Sequence, residues 1–519
     1  MRFKLQSILL FVLFAATVVF AQTEKATLRG VVTDPTGAVV PQTAITVTEI
    51  ATNIERQTVS DANGNYEVPD LKPGTYRVKA DKTGFRSHLA ESVLLDAGQV
   101  RRVDINLQVG ATAETITVEA GAALITTETG TIGGELDKKK FADRPLVDVY
   151  PSPLAMLTTV PGIQGNGWNL VISGQGRNQQ TWAMDGIAND TTGDQLDNPS
   201  FFETVQVTTT SAGADGARLT NFNMVSKTGA NSFHGGVYYQ HENSALNARL
   251  FFDQRKTPYI LHEFEMEQGG RIIKDRTFFF AAWFHQSIPL GFFVLRSMPT
   301  LKMRSGDFSQ FSRAITDPTN GQPFPNRIIP ASRFSDVSKK VMDAYMPPPN
   351  IGGPDNLTNN FGWTFPYNSD LYKGDWPFFR IDHKLTAKNN LYFRWMQRKT
   401  PYILPGATPP LTYTSSRDHL QMVVSDTHVF TPNLVNSFSF GRQTDLRPIG
   451  QEEKGFTPLA GDDVVKAIGL QGLNARGYHT QGFPQMTING LSTLSSNNGG
   501  IDNINNNNGI NTYQDTLTW

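Results

Sequence analysis

The sequence predicts a mainly β protein in three folded sections: a small β-sandwich, a mixed α+β section, and the first strands of an antiparallel transmembrane β-barrel. Three observations carry that expectation. Short alternating strands separated by turn residues fill the stretch after the N-terminus. Later, charged and aromatic side chains alternate along segments of roughly ten residues. The joins between those segments are short and long in strict turn. Composition agrees, with 45 glycines, 33 phenylalanines and no cysteine in 519 residues. That length allows about three domains. A net charge of −1 points to no nucleic-acid partner. A chain without thiols cannot use disulfides.

Residues 1–21 read as a signal peptide. Arg2 and Lys4 start it, Ile8 to Phe20 are almost wholly apolar, and Val19-Phe20-Ala21 before Gln22 suits signal peptidase. The run is short for a membrane span, the other reading being a buried helix. No later run reaches about 18 apolar residues, so no helical anchor is expected.

Residues 22–109 read as the sandwich. "TLRGVVTD", "AITVTEI", "IERQTVS", "NYEVPDL", "TYRVKA" and "RRVDINLQV" are β-rich. Asp34-Pro-Thr-Gly37, Asp61-Ala-Asn-Gly64 and Lys72-Pro-Gly74 supply turns between them. In "SDANGNYE" a tight turn with glycine at positive φ explains the spacing more simply than a calcium loop. "LRGVVTDPTGAVVPQTAITVTEIAT", "TVSDANGNYEVPDLKPGTYRVKADKTGF" and "LLDAGQVRRVDINLQVG" closely resemble the carboxypeptidase regulatory-like domain. The resemblance implies a transthyretin-like/Ig-like, carbohydrate-binding-type sandwich without peptidase activity. No H-E-x-x-H spacing occurs among the nine histidines, so neither a metal nor a cofactor is expected.

Residues 110–121 form a tether. Glu114, Thr115, Ile116, Thr117, Val118, Glu119 and Ala120 alternate between flanks of small residues. An exposed extended segment of this kind can add itself to the edge of a partner's sheet through backbone hydrogen bonds. The other reading is a first strand of the next section or a last strand of the sandwich.

Residues 122–230 are mixed. "LDKKKFADRPL" and "SPLAMLTTVPGI" read as short helices ended by proline, and "NLVISGQGRNQQTWAMDGIAND" and "FFETVQVTT" as strands joined by glycine turns. The order of Arg144-Pro-Leu146, Val160-Pro-Gly-Ile163, Ser173-Gly-Gln-Gly-Arg177, Met184-Asp-Gly186, Glu203-Thr-Val-Gln-Val207 and Val225-Ser-Lys-Thr-Gly229 resembles the plug of TonB-dependent outer-membrane transporters, in detail the Oar-like branch. Arg177, Asp185, Gly186 and Arg218 are its plug-motif residues here. Arg218 departs from the pattern, being followed by Leu219-Thr-Asn-Phe-Asn-Met rather than glycines, which leaves its local turn open. Arg177 is either a solvated arginine on a glycine turn or a plug–barrel contact. A phosphate loop fits poorly, because no lysine follows the glycines at the required spacing. By the same resemblance Glu114 to Ala120 are a TonB box, which implies TonB and its inner-membrane energising complex as partner.

Residues 231–519 read as barrel. Phe264, Met266 and Ile272 share one face against Glu263, Glu265, Glu267 and Arg271. Phe379, Ile381 and Leu385 oppose Arg380, Asp382 and Lys384; Leu391, Phe393 and Trp395 oppose Arg394 and Arg398. Lipid outside and a polar lumen inside give this alternation. Strands are expected near 233–242, 263–272, 277–287, 377–385, 390–398, 419–428, 435–443 and 511–519. Joins after the second, fourth and sixth are tight, and the others run about 20, 90, 20 and 65 residues. A soluble sandwich has no reason to sort its loops by parity. "TGANSFHGGVYYQHENSALNARLFF" and "GGRIIKDRTFFFAAWF" resemble the opening strands of Oar-like barrels. The Pro- and Asn-rich long loops would face the exterior, and Trp363 and Trp376 are expected either to stack sugars or to sit in the interfacial aromatic girdle.

Eight strands close a barrel filled by side chains alone, whereas about 22 enclose a plug. The sequence therefore reads as the front part of a longer transporter, a terminus at the aromatic Trp519 being the other option. The functional expectation is a TonB-dependent outer-membrane receptor or transporter taking up a large or scarce solute, with the plug and sandwich facing the periplasm. Outer-membrane lipid is one partner and an extracellular glycan, siderophore or peptide another. The alternative is a cell-surface carbohydrate-binding or adhesion protein acting through the sandwich. No nucleophile elbow, cysteine nucleophile or metal cluster marks an enzyme.

Overall fold

The computed structural model describes residues 25–110, 115–119, 132–137, 157–165, 171–174, 180–188, 201–210, 220–249, 256, 258–289, 291–365, 370–404, 406–411, 413–432, 434–446, 449–450, 464–471, 483–494 and 508–519. The expected signal peptide lies outside them.

Two sheets build the first section. β1 (Ala26–Thr33), β4 (Asn65–Leu71), β7 (Val100–Arg102) and β8 (Ile105–Asn106) form one; β2 (Ala44–Glu49), β3 (Glu55–Val59), β5 (Gly74–Asp81) and β6 (Ser87–Leu95) form most of the other. Alternating residues such as Leu28, Val32, Ile45, Val47, Tyr66, Val78 and Ile105 are buried between them, as aligned sheet packing requires. The Asp61–Gly64 segment is a turn. The Asp61 carboxylate accepts from the backbone N–H groups of Asn63 and Asn65, both at 2.8 Å, and Gly64 stands at φ 75°. β6 is the strand absent from the expected set. Ser92 sits in it at φ 59°, beside a register shift against β5, and that bulge breaks the alternation by which strands are recognised.

The tether's strand, β9 (Thr115–Glu119), lies parallel to β6 as the fifth strand of the second sheet, with Ile116 opposite His88 and Val118 opposite Ala90.

The middle section contains β10 (Ile132–Asp137), β11 (Ile163–Gln164), β12 (Val171–Ile172), β13 (Gln180–Met184), β14 (Ile187–Ala188), β15 (Phe202–Thr210) and β16 (Thr220–Ser226). Five of these make an inner sheet of order β10-β15-β16-β13-β14. The first expected helix gives way in part to β10, which covers Leu136 and Asp137. Gly134 is one reason: a Cβ there would come within 2.9 Å of Val160 Cγ1, so the strand packs directly on the Val160 turn. Of the second expected helix, Leu157 is helical, residues 152–156 lie outside the described residues, and the helix gives way before Pro161 to turns closed by Val160 N to Leu157 O and Ile163 N to Val160 O. The segment that departs from the family pattern, Thr220 to Ser226, becomes the fully buried central strand.

β17 (His234–Asn243), β18 (Ile260–Ile273) and β19 (Thr277–Pro289) open the third section, followed by a hairpin of β20 (Phe292–Arg296) and β21 (Phe361–Phe365). β22 (Asp370–Lys384), β23 (Asn389–Leu404), β24 (Tyr413–Thr431), β25 (Leu434–Leu446), β26 (Ile449–Gly450) and β27 (Asn508–Thr518) complete it. The main sheet runs β17-β18-β19-β22-β23-β24-β25-β27 with antiparallel neighbours throughout. All eight expected strands are present in register, and several extend further on the long-loop side. The fifth loop is accordingly shorter than expected, 405–412. Among the described residues the sheet is open between β17 and β27, so it cradles the inner sheet from one side and needs no eight-strand closure.

Its inward face departs from the expectation of a polar lumen. Glu263, Arg380, Asp382, Arg394 and Arg398 do point inward and are buried, but so are Phe278, Phe280, Phe284, Trp376, Phe378 and Met396. Most of those apolar residues join one core with Trp182, Met184, Phe201, Phe222 and Met224 of the inner sheet. A wall that meets a folded domain rather than water has every reason to be apolar.

Three long loops end in a second compact body. The β20–β21 hairpin, the helix Asp336–Tyr345, residues 406–411 and residues 483–494 share a core around Met298, Tyr345, Phe361, Leu411, Phe483 and Leu494. Trp363 packs against this core and Trp376 against the inner sheet, so neither belongs to an outer girdle.

Candidate functional site

The site begins with a two-residue turn. β13 and β14 are joined by Asp185 and Gly186 at φ 49° and 77°, and Met184 pairs with Ile187. Positive φ at both central positions is the type I′ geometry whose twist matches a hairpin, and Asp-Gly is among the sequences that adopt it most readily. The turn throws the Asp185 carboxylate toward the barrel wall. Ser226 secures it from the neighbouring strand, its backbone N–H donating to Oδ1 and its hydroxyl to Oδ2, each at 2.8 Å.

Two barrel arginines meet that carboxylate. Arg380 Nη1 of β22 lies 3.4 Å from Oδ1, and Arg394 Nε of β23 lies 3.2 Å from Oδ2. Asp185 and the two guanidiniums are at most 4% exposed, so water screens the attraction little. Arg380 also grips Asp382 with two N–H groups at 2.8 and 3.0 Å, donates to Ser226 Oγ at 2.6 Å, and lies over the Tyr392 ring at 4.3 Å. Arg394 donates to Gln421 Oε1 at 2.7 Å. Lys72, from the β4–β5 turn of the sandwich, donates to Asp382 Oδ1. Three cations therefore surround two carboxylates, and the members come from all three sections of the chain. A few residues away, Lys227 pairs with Glu267 of β18. Below Ile187, Gly441 of β25 leaves room: a Cβ there would lie 2.7 Å from Ile187 Cγ2.

Chemically the cluster is a buried ion-pair contact that ties the inner sheet to the wall. Every carboxylate is occupied by cations, and its oxygens face the interface between inner sheet and wall. Among the described residues no group of three metal-ligating side chains occurs.

Of the residues singled out in the sequence, the structure brings Asp185 and Gly186 into this cluster. Thr115 to Glu119 stand apart as β9, with the Thr117 side chain exposed. Glu114, Ala120, Arg177 and Arg218 lie outside the described residues. Arg380, Asp382 and Arg394 were legible as inward-facing, but not as partners of Asp185, from which they are separated by about 200 residues of sequence. Ser226 stood in the quoted Val225-Ser-Lys-Thr-Gly229 motif and Lys72 in a turn, and neither was legible as a partner of this cluster.

The outer membrane β-barrel domain family matches residues 225–519, and the carboxypeptidase regulatory-like domain family matches residues 27–108. The TonB-dependent transporter Oar of Myxococcus xanthus is 26% identical over 266 residues, covering 47% of this chain and 25% of that protein. This chain's match thus spans about a quarter of the length of that curated relative. Among solved structures, the alcaligin outer membrane receptor FauA from Bordetella pertussis is similar with a TM-score of 0.36 and 11% identity, over 62% of this chain and 40% of that one. The siderophore receptor PirA from Pseudomonas aeruginosa has a TM-score of 0.36 and 10% identity, over 61% and 41%. The family match extends over more than half of the sequence, across the strands whose alternation faces lipid on one side, and the chain belongs to the outer membrane β-barrel domain family, as a homologue of a TonB-dependent transporter.

Proposed function

We propose that the protein is a TonB-dependent outer-membrane receptor or transporter that takes up a large or scarce solute when TonB moves the inner sheet, which acts as its plug. The observation that carries this reading is the way the inner sheet is held. It forms a five-stranded sheet of its own that packs on the wall's apolar face and is bound to it through the Asp185–Arg380–Arg394 cluster. Breaking a buried pair by removing one partner is costly, whereas pulling both sides into water rehydrates both charges. Such a latch holds firmly at rest and lets go once water enters. Tension would reach it through residues 110–121, which precede the sheet's first strand, β10, in the sequence. In this reading the tight turns and the sandwich lie on the periplasmic side, and the loop body on the outside, where it meets a glycan, siderophore or peptide. An outer membrane has no nucleotide supply, so the work comes from the TonB complex.

Thr115–Glu119 are paired with β6 as the edge strand of the sandwich, which is the other reading of the tether, and among the described residues the far edge of β9 is open. In the reading proposed here the partner adds its strand at that open edge. Deleting Thr115 to Val118 from the full-length protein is expected to abolish energised uptake while surface binding of the solute persists. Uptake that survives the deletion would refute the coupling.

A further inference from the structure

We propose that Lys72 is a positioning residue for the plug latch, so that seating of the N-terminal sandwich against the tight-turn end of the barrel sets how strongly the inner sheet is held. The β4–β5 turn enters the barrel's tight-turn end with two charges. Asp70, at φ 63°, accepts from Ser437 Oγ of β25 at 2.7 Å and from Lys25 Nζ at 3.2 Å. Lys25 in turn donates to Thr427 Oγ1 of β24 at 2.8 Å. Two residues on, Lys72 reaches Asp382. Farther round the rim, Asn53 Nδ2 donates to Asp275 at 2.9 Å, and Asn231 N donates to Ala51 O at 2.8 Å. The sandwich is thus fixed at several points, of which Lys72 alone among these touches the cluster.

The geometry around Arg380 gives that contact its consequence. Arg380 lies between two carboxylates, close to Asp382 at 2.8 and 3.0 Å and farther from Asp185 at 3.4 Å. Lys72 and Arg380 Nη2 donate to the same oxygen, Asp382 Oδ1. With Lys72 in place, part of the Asp382 charge is already compensated, and Arg380 can serve Asp185 as well. When Lys72 leaves, Asp382 draws Arg380 more strongly and the longer Asp185 contact weakens. Coupling of this kind is reciprocal: release of the plug loosens the sandwich by the same factor that release of the sandwich loosens the plug. Lys72 is 34% exposed, which limits the effect, whereas Asp382 is only 6% exposed.

This inference builds on the plug reading, but its test needs no energising partner, so either can fail without the other. The full chain is placed in lipid vesicles and backbone hydrogen exchange is followed in peptides covering 180–188 and 220–226. Lys72→Met is expected to accelerate exchange there on the order of tenfold. Lys72→Arg should restore the native rate, and Lys25→Met, which removes a rim contact without touching Asp382, should accelerate it far less than Lys72→Met does. The proposal is overturned if Lys72→Met changes exchange in the sandwich alone. It is equally overturned if Lys25→Met accelerates the inner sheet as much as Lys72→Met does, because docking as a whole, and not the charge on Asp382, would then be responsible.

Discussion

Asp185 shows what one residue can carry in a wall-enclosed domain. Its backbone makes the turn, its carboxylate takes two hydrogen bonds from Ser226, and two arginines complete its shell. Asp185→Asn keeps the shape but leaves Arg394 and Arg380 facing a neutral amide in a dry site. Removing one member of a buried pair costs about 3–5 kcal/mol. The inner sheet of that variant is expected to detach from the wall at a lower urea concentration than the barrel unfolds, and a probe at the inner sheet read against one on an outward barrel position would separate the two transitions. Gly441 makes a complementary case. Gly441→Val drives a branched side chain into Ile187, and overpacking of this kind costs about 1–3 kcal/mol. The same two-probe titration should show it. Half of this site could be read without a structure. Asp-Gly between alternating strands announces a hairpin, and inward arginines follow from strand parity. The contact itself could not, since nothing local to Asp185 names a partner two strands deep in another section.

At the scale of elements, legibility followed alternation. The barrel strands were read to within a few residues because lipid enforces one face and the inner domain the other. Boundaries drifted outward on the long-loop side, where strands continue beyond the alternating stretch. β6 escaped for a local reason: Ser92 at φ 59° shifts the register, and the residues after it fall on the wrong parity. An L-residue in the left-handed region is strained by roughly 1–2 kcal/mol, which glycine relieves. Ser92→Gly is therefore expected to stabilise the sandwich by up to about 1 kcal/mol, after the loss of chain stiffness is subtracted. A shift of the sandwich's thermal midpoint downward instead would mean that the Ser92 side chain holds the bulge. In the middle section, β10 went unread because Gly133 and Gly134 weaken a strand on paper, yet Gly134 is what lets it approach the Val160 turn; of the helix expected over 136–146, only Leu136 and Asp137 are described, and they end β10.

The whole molecule is polarised along the barrel axis. The sandwich sits at the tight-turn end, and a loop body with a core of its own sits at the other. The rim contacts are partly ionic, and one has a pH signature. Hydrogen bonds from Asn53, first, and Asn231 hold the Asp275 carboxyl below its ordinary value of 3.8. A group with a lowered native pKa contributes stability above the ordinary value and loses it as pH falls through the lowered one. The Asp275 contribution to docking should thus be constant from neutral pH down to about 4 and weaken only below that, and Asp275→Asn should shrink the acid limb by this share, leaving that of the other docking carboxylates.

At the opposite end the sequence announced long Pro- and Asn-rich loops but not that they share one core. Their contacts are tertiary. The Tyr345 ring of the third loop packs tilted against Phe483 of the seventh with centroids 4.4 Å apart, Thr408 of the fifth donates to Tyr345 O at 2.9 Å, and Ser297 and Ser492 exchange two hydrogen bonds at 2.9 Å. Loops tied in this way present a fixed surface to a ligand and spare the entropy of ordering three free chains on binding. Phe483→Ala removes the ring on which Tyr345 rests, at a cost of about 3–5 kcal/mol to this body. Because the barrel strands keep their ladders, the variant should retain heat-modifiable gel mobility while its long loops become sensitive to protease in intact cells. Loss of heat-modifiable mobility together with loop protection would mean that the loop body is folded into the barrel's own stability and is not an independent unit.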